Sequence, residues 1–150
     1  MKKVLFLCSG NYYRSRYAEI LFDWHAQSLQ LKWKADSCGL ALDPLNAGAI
    51  SSHTRSALEK RGILFDTYLR APRPVTNADF AAADHVVAVK EQEHRPLITR
   101  HFPQWLNRVE FWQVHDLDCC GPEDTIPHLD REVDRLVKRL AAEATPGDMR

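Results

Sequence analysis

The sequence predicts an α/β fold around a parallel sheet of four strands, and three observations lead there. Short apolar runs alternate with segments of helical period along the chain. The first run, Val4-Leu5-Phe6-Leu7, is continuously apolar, as a strand covered on both faces must be. Polar loops follow the first and fourth runs, and such sheets bind ligands beyond the carboxyl ends of their strands.

Each element has its own signal. From Ser15 a helix is expected, with Tyr17, Ile20, Leu21 and Trp24 on one face at steps of three and four. Leu31 to Ser37 alternates, with Leu31, Trp33 and Ala35 against Lys32, Lys34 and Asp36, and reads as a half-exposed second strand. A loop rich in Gly, Asp, Pro and Asn runs from Cys38 to Ser52. Ser52 then caps a helix over about His53 to Arg61, which Gly62 stops. Thr76-Asn77-Ala78-Asp79 has the form of a capping box ahead of a short helix. His85 to Val89 is the third strand, and Glu91 to His101 a helix interrupted near its start by Pro96. Val109 to Val114 is the fourth strand. After the polar loop from His115 to Thr125, with Asp124 or Thr125 as cap, a last helix aligns Leu129, Val133, Leu136, Val137 and Leu140. The tail from Thr145 is expected to fray.

Composition narrows the function classes. The 150 residues fit one domain, 1–150, with a sizeable core. Formal net charge is zero and no basic stripe is visible, so nucleic acid is not an expected partner. Met1-Lys2-Lys3 and the apolar run after it imitate a secretory leader. That run is shorter than the roughly 7–15 residues a leader needs, and polar Ser9-Gly10-Asn11 follows at once. No stretch approaches membrane-spanning length, so no membrane partner is expected. Four cysteines without a leader point to a reducing cytoplasm, where thiols are more often catalytic, metal-bound or inert than paired.

The segment Cys8-Ser9-Gly10-Asn11-Tyr12-Tyr13-Arg14-Ser15 concentrates the chemistry. Strand, cysteine, a glycine two on, an asparagine, and Arg-Ser at a helix start form an anion-binding arrangement in order. The backbone N–H groups of Ser9, Gly10, Asn11, Tyr12, Tyr13, Arg14 and Ser15 can form a nest, and the helix adds its positive end. Gly10 permits close approach, and Asn11 accepts a left-handed conformation. Arg14 can clamp an oxyanion through two bonds, as Lys cannot. The same field favours the thiolate of Cys8, the nucleophilic form, with the Ser15 hydroxyl as a donor to it. Asp116 follows the fourth strand and shares that rim.

Val4 to Ser15, with Ala18-Glu19 after it, resembles the low-molecular-weight protein tyrosine phosphatase family, cysteine-dependent enzymes of arsenate-reductase-like fold. Asp36-Ser37-Cys38-Gly39-Leu40 is similar to the family's Ser-Ala-Gly segment. Arg73-Pro74-Val75-Thr76 with Asp79, and Ala83-Asp84-His85-Val86-Val87, resemble its middle section. Val114-His115-Asp116 falls where the family places its general-acid loop. The resemblance implies a three-layer α/β/α fold with a four-stranded parallel sheet. It also implies two-step hydrolysis without metal or other cofactor. Cys8 would form a phosphocysteine, Arg14 and the loop amides would hold the phosphate oxygens, and Asp116 would be the general acid. Asn11, Ser15 and Ser37 would support the loop. Phosphorylated proteins or small phosphomonoesters would be substrates, and phosphate or vanadate inhibitors.

Three departures bear on specificity. Tyr13 replaces the family's second cysteine. Arg16 replaces a proline and is expected to add positive charge near the rim. Asp116-Leu117-Asp118-Cys119-Cys120-Gly121 stands in place of Asp-Pro-Tyr, which makes Asp118 an alternative general acid. Tyr12 either supplies the missing aromatic wall, narrows the pocket or packs against neighbouring helices. Cys119 or Cys120 is a possible redox partner of Cys8. Their spacing with His115 and His128 does not match a metal site. Cys38 reads as structural, and His25, His53, His85, His94 and His101 as solvated or capping. Phosphotyrosine hydrolysis is the leading reading. The alternatives are a phosphoarginine or small aryl-phosphate phosphatase, a thioredoxin-linked arsenate reductase and a non-hydrolysing phosphate-binding module.

Overall fold

The structure is a computed structural model that describes residues 1–117 and 120–144. Four strands, β1 (Lys2–Cys8), β2 (Trp33–Gly39), β3 (His85–Ala88) and β4 (Val109–Phe111), form one sheet in the order β2-β1-β3-β4. All three pairings are parallel. The chain moves from β1 out to β2 and then crosses back to β3, so the strand order reverses beside the carboxyl end of β1. Cys8 ends that strand.

Helices cover both faces. On one side α1 (Arg14–Ser28), α2 (Ser52–Lys60) and α5 (Pro122–Glu143) pack on Val4, Phe6 and Val87 through Tyr17, Leu21, Leu58, Val133 and Val137. On the other, α3 (Asn77–Ala82) and α4 (Glu91–His101) bring Phe80 and Ile98 onto Leu5, Leu7 and Val86. The alternation of inward residues along β1 feeds the two cores in turn. Helix α1 is sandwiched between sheet and helices and is buried on nearly every side through Asp23. Short 3-10 turns at Asp66–Tyr68 and Pro103–Arg108 complete the described elements.

Several sequence expectations shift at their edges. Trp24 lies off the buried face of α1, with the Arg61 guanidinium over its ring. The cap of α2 is Ser51, whose hydroxyl accepts from Thr54 N at 3.0 Å, rather than Ser52. The capping box of Thr76 and Asp79 forms as expected. Helix α4 runs through Pro96 without interruption, because Pro96 and Gln92, whose carbonyl loses its partner, both face solvent. Strand β4 is regular only to Phe111, yet Trp112 N and Val114 N still donate to Ala88 O and Val89 O at 2.9 and 2.7 Å. Gly121, not Asp124 or Thr125, caps α5, and Pro122 takes the first helical position. The tail from Thr145 lies outside the described residues. Among those described, no helix is long and apolar enough to cross a membrane.

The short edge strand β4 is tied down by one carboxylate. Glu110 accepts from Trp112 Nε1 at 2.7 Å, lies 3.0 Å from His85 Nε2 and pairs with Arg139 of α5. Partial burial pushes its carboxyl up, but the His85 and Trp112 hydrogen bonds and the Arg139 charge outweigh that and bring it down to about 2. A depressed carboxylate stabilises the fold above its unfolded value and loses that contribution as pH falls. Glu110→Gln is therefore expected to cost about 1–3 kcal/mol at neutral pH. In urea denaturation the gap between variant and parent should close as pH falls from about 4.5 towards 2.

Candidate functional site

In the loop between β1 and α1, four carbonyls are turned outward onto neighbouring segments. The carbonyls of Cys8 and Ser9 accept from Leu40 N and Ala41 N, and that of Tyr12 from Ser51 N, each at 2.9 Å. The Tyr13 carbonyl takes the Thr54 hydroxyl at 3.0 Å. Among the described residues, no backbone N–H from Ser9 to Tyr13 donates to a protein acceptor. Outward carbonyls and unclaimed amides make a concave nest for an anion. Helix α1 starts at its rim without a side-chain cap or an acidic first turn, so its positive end stays available. The left-handed residue of the loop is Asn11, at φ 50°; Gly10 is not among the residues of positive φ. Closeness matters more at Gly39, where a Cβ would lie 2.7 Å from the Ser9 carbonyl oxygen.

Asn11 is fully buried and fixes the direction of a hydrogen-bond chain ending at sulfur. Its Oδ1 accepts from Arg70 Nη1 at 2.9 Å and from Arg73 N at 3.1 Å. Both are obligate donors, so Nδ2 must face the other way, where it donates to Ser15 Oγ at 3.0 Å and Ser37 Oγ at 2.9 Å. Ser37 passes its hydrogen to Glu19 Oε1 at 2.5 Å. Ser15 has its hydrogen left for Cys8 Sγ, 3.0 Å away, and so offers a donor to an ionised sulfur. Ser15, Asn11 and Ser37 thus meet as the sequence predicted.

Arg16 departs from expectation. It is 1% exposed and points away from the rim, pairing with Glu19 at 2.6 Å and donating to Tyr68 O. Burial raises the Glu19 carboxyl, opposed by Arg16, Ser37 and Arg70.

The opposite wall carries Arg14. The residue is 1% exposed; Nη1 donates to Val114 O at 3.0 Å, and Nη2 reaches Glu93 Oε2 at 2.6 Å and Asp116 Oδ2 at 3.3 Å. Cys8, Arg14 and Asp116, predicted from three separate places in the chain, line one cleft of about 540 Å³ with Ser9, Gly10 and Tyr12. Asp116 keeps Oδ1 on Leu117 N at 2.8 Å. Tyr12 stands at the cleft with its hydroxyl donated to Ala47 O. The Tyr13 ring packs against His53 at 5.7 Å, and burial pushes its hydroxyl up to about 12. The cleft can seat a tetrahedral oxyanion on amides and Arg14, with sulfur beneath it and a carboxyl beside it.

Sequence reasoning missed Glu93 and Arg70, met Arg73 only within the resemblance and read His94 as solvated or capping. His94 is fully buried rather than solvated, and its Nδ1 accepts from Lys90 N at 3.1 Å, a capping role. A carboxylate in the first turn after β3 shares the rim with Cys8, and that placement was the available signal. Arg70 had none. Cys38 is structural as expected: buried, with Arg73 Nε 3.4 Å from its sulfur, and with burial pushing its thiol up to about 11. Cys120 donates its N–H to Asp116 O at 3.0 Å, within the acid loop. Asp118 and Cys119, the alternative acid and a possible redox partner, lie outside the described residues. Among the described residues, no three His, Cys, Asp or Glu side chains are grouped to hold a metal ion.

The chain from Arg70 to sulfur can be tested directly. Arg70→Met removes the charged one of the two donors that hold the Asn11 amide in one orientation and leaves the Arg73 N–H. Alkylation of Cys8 by iodoacetate, followed by intact mass, is expected to slow by about ten-fold, the effect of losing one charge-assisted hydrogen bond.

Comparison with known proteins identifies the fold and the family. Similar solved structures include YfkJ from Bacillus subtilis, at 24% identity over 97% of this chain and 98% of that one, with a TM-score of 0.82. A low-molecular-weight phosphotyrosine phosphatase from Vibrio cholerae O395 matches at 19% identity, 97% and 100% coverage and a TM-score of 0.82. The YwlE arginine phosphatase from Geobacillus stearothermophilus matches at 22% identity, 95% of each chain and a TM-score of 0.75. These likenesses establish the fold. No curated protein sequence matches. The family model for low molecular weight phosphotyrosine protein phosphatase covers residues 3–144, and the chain belongs to that family of cysteine-dependent phosphatases.

Proposed function

We propose that the protein hydrolyses phosphotyrosine in proteins through a phosphocysteine on Cys8. The observation that carries the reading is the loop polarity: carbonyls out, amides in, with Arg14 and Asp116 on the adjoining wall. In the first step Cys8 Sγ bonds to phosphorus as the phosphorus–oxygen bond to the substrate breaks, and Asp116 gives its proton to the departing oxygen. In the second, Asp116 takes a proton from water as that water displaces sulfur, releasing phosphate and regenerating the thiolate. Passing through sulfur divides one hard displacement into two. The equatorial oxygens rest on the Ser9–Ser15 loop and Arg14 throughout, and no metal or cofactor enters either step. Phosphate and vanadate are expected to compete for the same nest. A reducing cytoplasm suits this chemistry, because an oxidised Cys8 cannot attack phosphorus.

One observation favours a second reading, phosphoarginine. Asp43, Glu93 and Asp116 line the cleft beside its aromatic residues, Tyr12 and Tyr13. Carboxylates suit a cationic guanidinium leaving group, and one solved relative is an arginine phosphatase. Arsenate reduction draws no comparable support: its relay would fall to the adjacent Cys119 and Cys120, which are not a spaced pair, since Cys38 is buried and hydrogen-bonded to Arg73.

Aryl-phosphate hydrolysis in metal-free buffer tests the mechanism. Cys8→Ser should abolish turnover, and Asp116→Asn should lower kcat by about 10²- to 10⁴-fold, the value of a positioned acid. Unchanged turnover in Cys8→Ser would refute the nucleophile, and absence of turnover in the parent protein would leave a phosphate-binding module. The ratio of kcat/KM for phosphotyrosine and phosphoarginine peptides then assigns the substrate class.

A further inference from the structure

One oxygen of Glu93 gathers three donors. Ser9 Oγ lies 3.0 Å from Oε2, Arg14 Nη2 2.6 Å and His94 Nε2 2.7 Å. Ser9 opens the anion loop and Arg14 closes it, so a single carboxylate from the first turn of α4 staples both ends. His94 makes that staple rigid. Its Nδ1 accepts from the Lys90 backbone N–H, which leaves the ring hydrogen on Nε2, facing Glu93 and, at 3.2 Å, Ser9 Oγ. The ring is fully buried, so it has one orientation. Partial burial works against ionisation of Glu93, but the His94 hydrogen bond and the Arg14 charge hold its carboxyl well below the usual range.

This arrangement bears on how phosphate is gripped. Nη2 of Arg14 carries two hydrogens; one is taken by Glu93 and the other faces Asp116 at the longer 3.3 Å. We propose that Glu93 and His94 are positioning residues, a dyad that sets the plane of Arg14 so that its second Nη2 hydrogen serves an entering phosphate. Phosphate then displaces Asp116 from Arg14 and leaves that carboxyl facing the leaving group. The proposal rests on the phosphatase reading and adds to it the residues that aim the clamp.

Two electrostatic effects oppose each other at Glu93, and their signs separate the possibilities. As a plain negative wall, Glu93 repels phosphate and its removal tightens binding. As the staple, it holds Arg14 in place and its removal weakens binding. Inorganic phosphate titrated calorimetrically into Cys8→Ser protein reads this without turnover, so the outcome does not depend on whether Cys8 is the nucleophile. Glu93→Ala in that background is expected to weaken phosphate binding by roughly ten- to a hundred-fold. Equal or tighter binding would overturn the proposal. The His94 variants provide the control for folding. His94→Gln can still present a donor where Nε2 stood, whereas His94→Asn can satisfy Lys90 N but cannot reach Glu93. Both disturb the core alike, yet phosphate binding should weaken less in His94→Gln than in His94→Asn. Equal losses in the two variants would also overturn it. In otherwise unmodified enzyme, the same ordering is expected in the inhibition constant for inorganic phosphate, while melting temperatures of the two His94 variants stay close.

Discussion

An anion site beside Cys8 exists only because its peptide planes are held from outside. A single inward carbonyl would set a lone pair against the ligand and cancel much of what a neighbouring amide gives. The loop itself has little to enforce its polarity. Leu40 N and Ala41 N beyond β2, Ser51 N ahead of α2 and the Thr54 hydroxyl within it each claim one carbonyl. The nest is therefore tertiary: the residues that bind are contiguous, and those that orient them come from a segment roughly thirty to forty positions later. Gly39 belongs to the same constraint, since only a residue without Cβ lets the Ser9 carbonyl pass so closely.

Formal neutrality conceals a sharp local balance. Among the described residues, the cleft is lined by one guanidinium, Arg14, and by the carboxylates of Asp43, Glu93 and Asp116. Arg14 is almost wholly excluded from water, and a buried cation is tolerable only when its hydrogens are met. Val114 O, Glu93 and Asp116 meet three of them before a ligand arrives. On the proposed reading, phosphate binding is an exchange of partners at Arg14 rather than the filling of a vacant clamp, and the cation never has to stand alone. The cost is a wall of negative charge around a dianion. Phosphate has to be held chiefly by amides that are already oriented, because oriented dipoles need no rearrangement when the charge arrives.

Much of this was legible in the sequence, for reasons that can be stated. The order of strands and helices followed from apolar period, and Cys8, Arg14 and Ser15 from a compact run whose chemistry is local. Asp116 was legible through topology, because a parallel sheet places the ends of β1 and β4 on one rim. The errors fell where context overrides local signal. Arg16 looked like a rim charge from its position beside Arg14, but one residue along a helix is a turn of about 100°, enough to send it into the core towards Glu19. Pro96 looked like a break, yet it stands on the solvent face of α4, where an unpaired carbonyl is tolerated. Arg70 and Glu93 carried no pattern of their own. Each acts through another residue, Asn11 or Arg14, and such roles depend on distances that spacing does not encode.

The two supports of the loop differ in kind, and the strand order explains why. Strand β1 lies between β2 and β3, so a loop leaving its end has two flanks. On the β2 flank the contacts are between buried groups: Asn11, Ser15 and Ser37 are all fully enclosed and joined by neutral hydrogen bonds before charge appears at Glu19 and Arg70. On the β3 and β4 flank the contacts are ionic and partly wet, with the Glu93 and Asp116 side chains 27% and 38% exposed. A dry, neutral brace is suited to fixing a conformation, since none of its members gains by turning to water. A wet, charged one is suited to exchanging partners, since water and ligand can replace each bond at small cost. On the proposed reading, sulfur is oriented from the first flank and phosphate is received from the second. The crevice where the strand order reverses supplies both environments within a single loop.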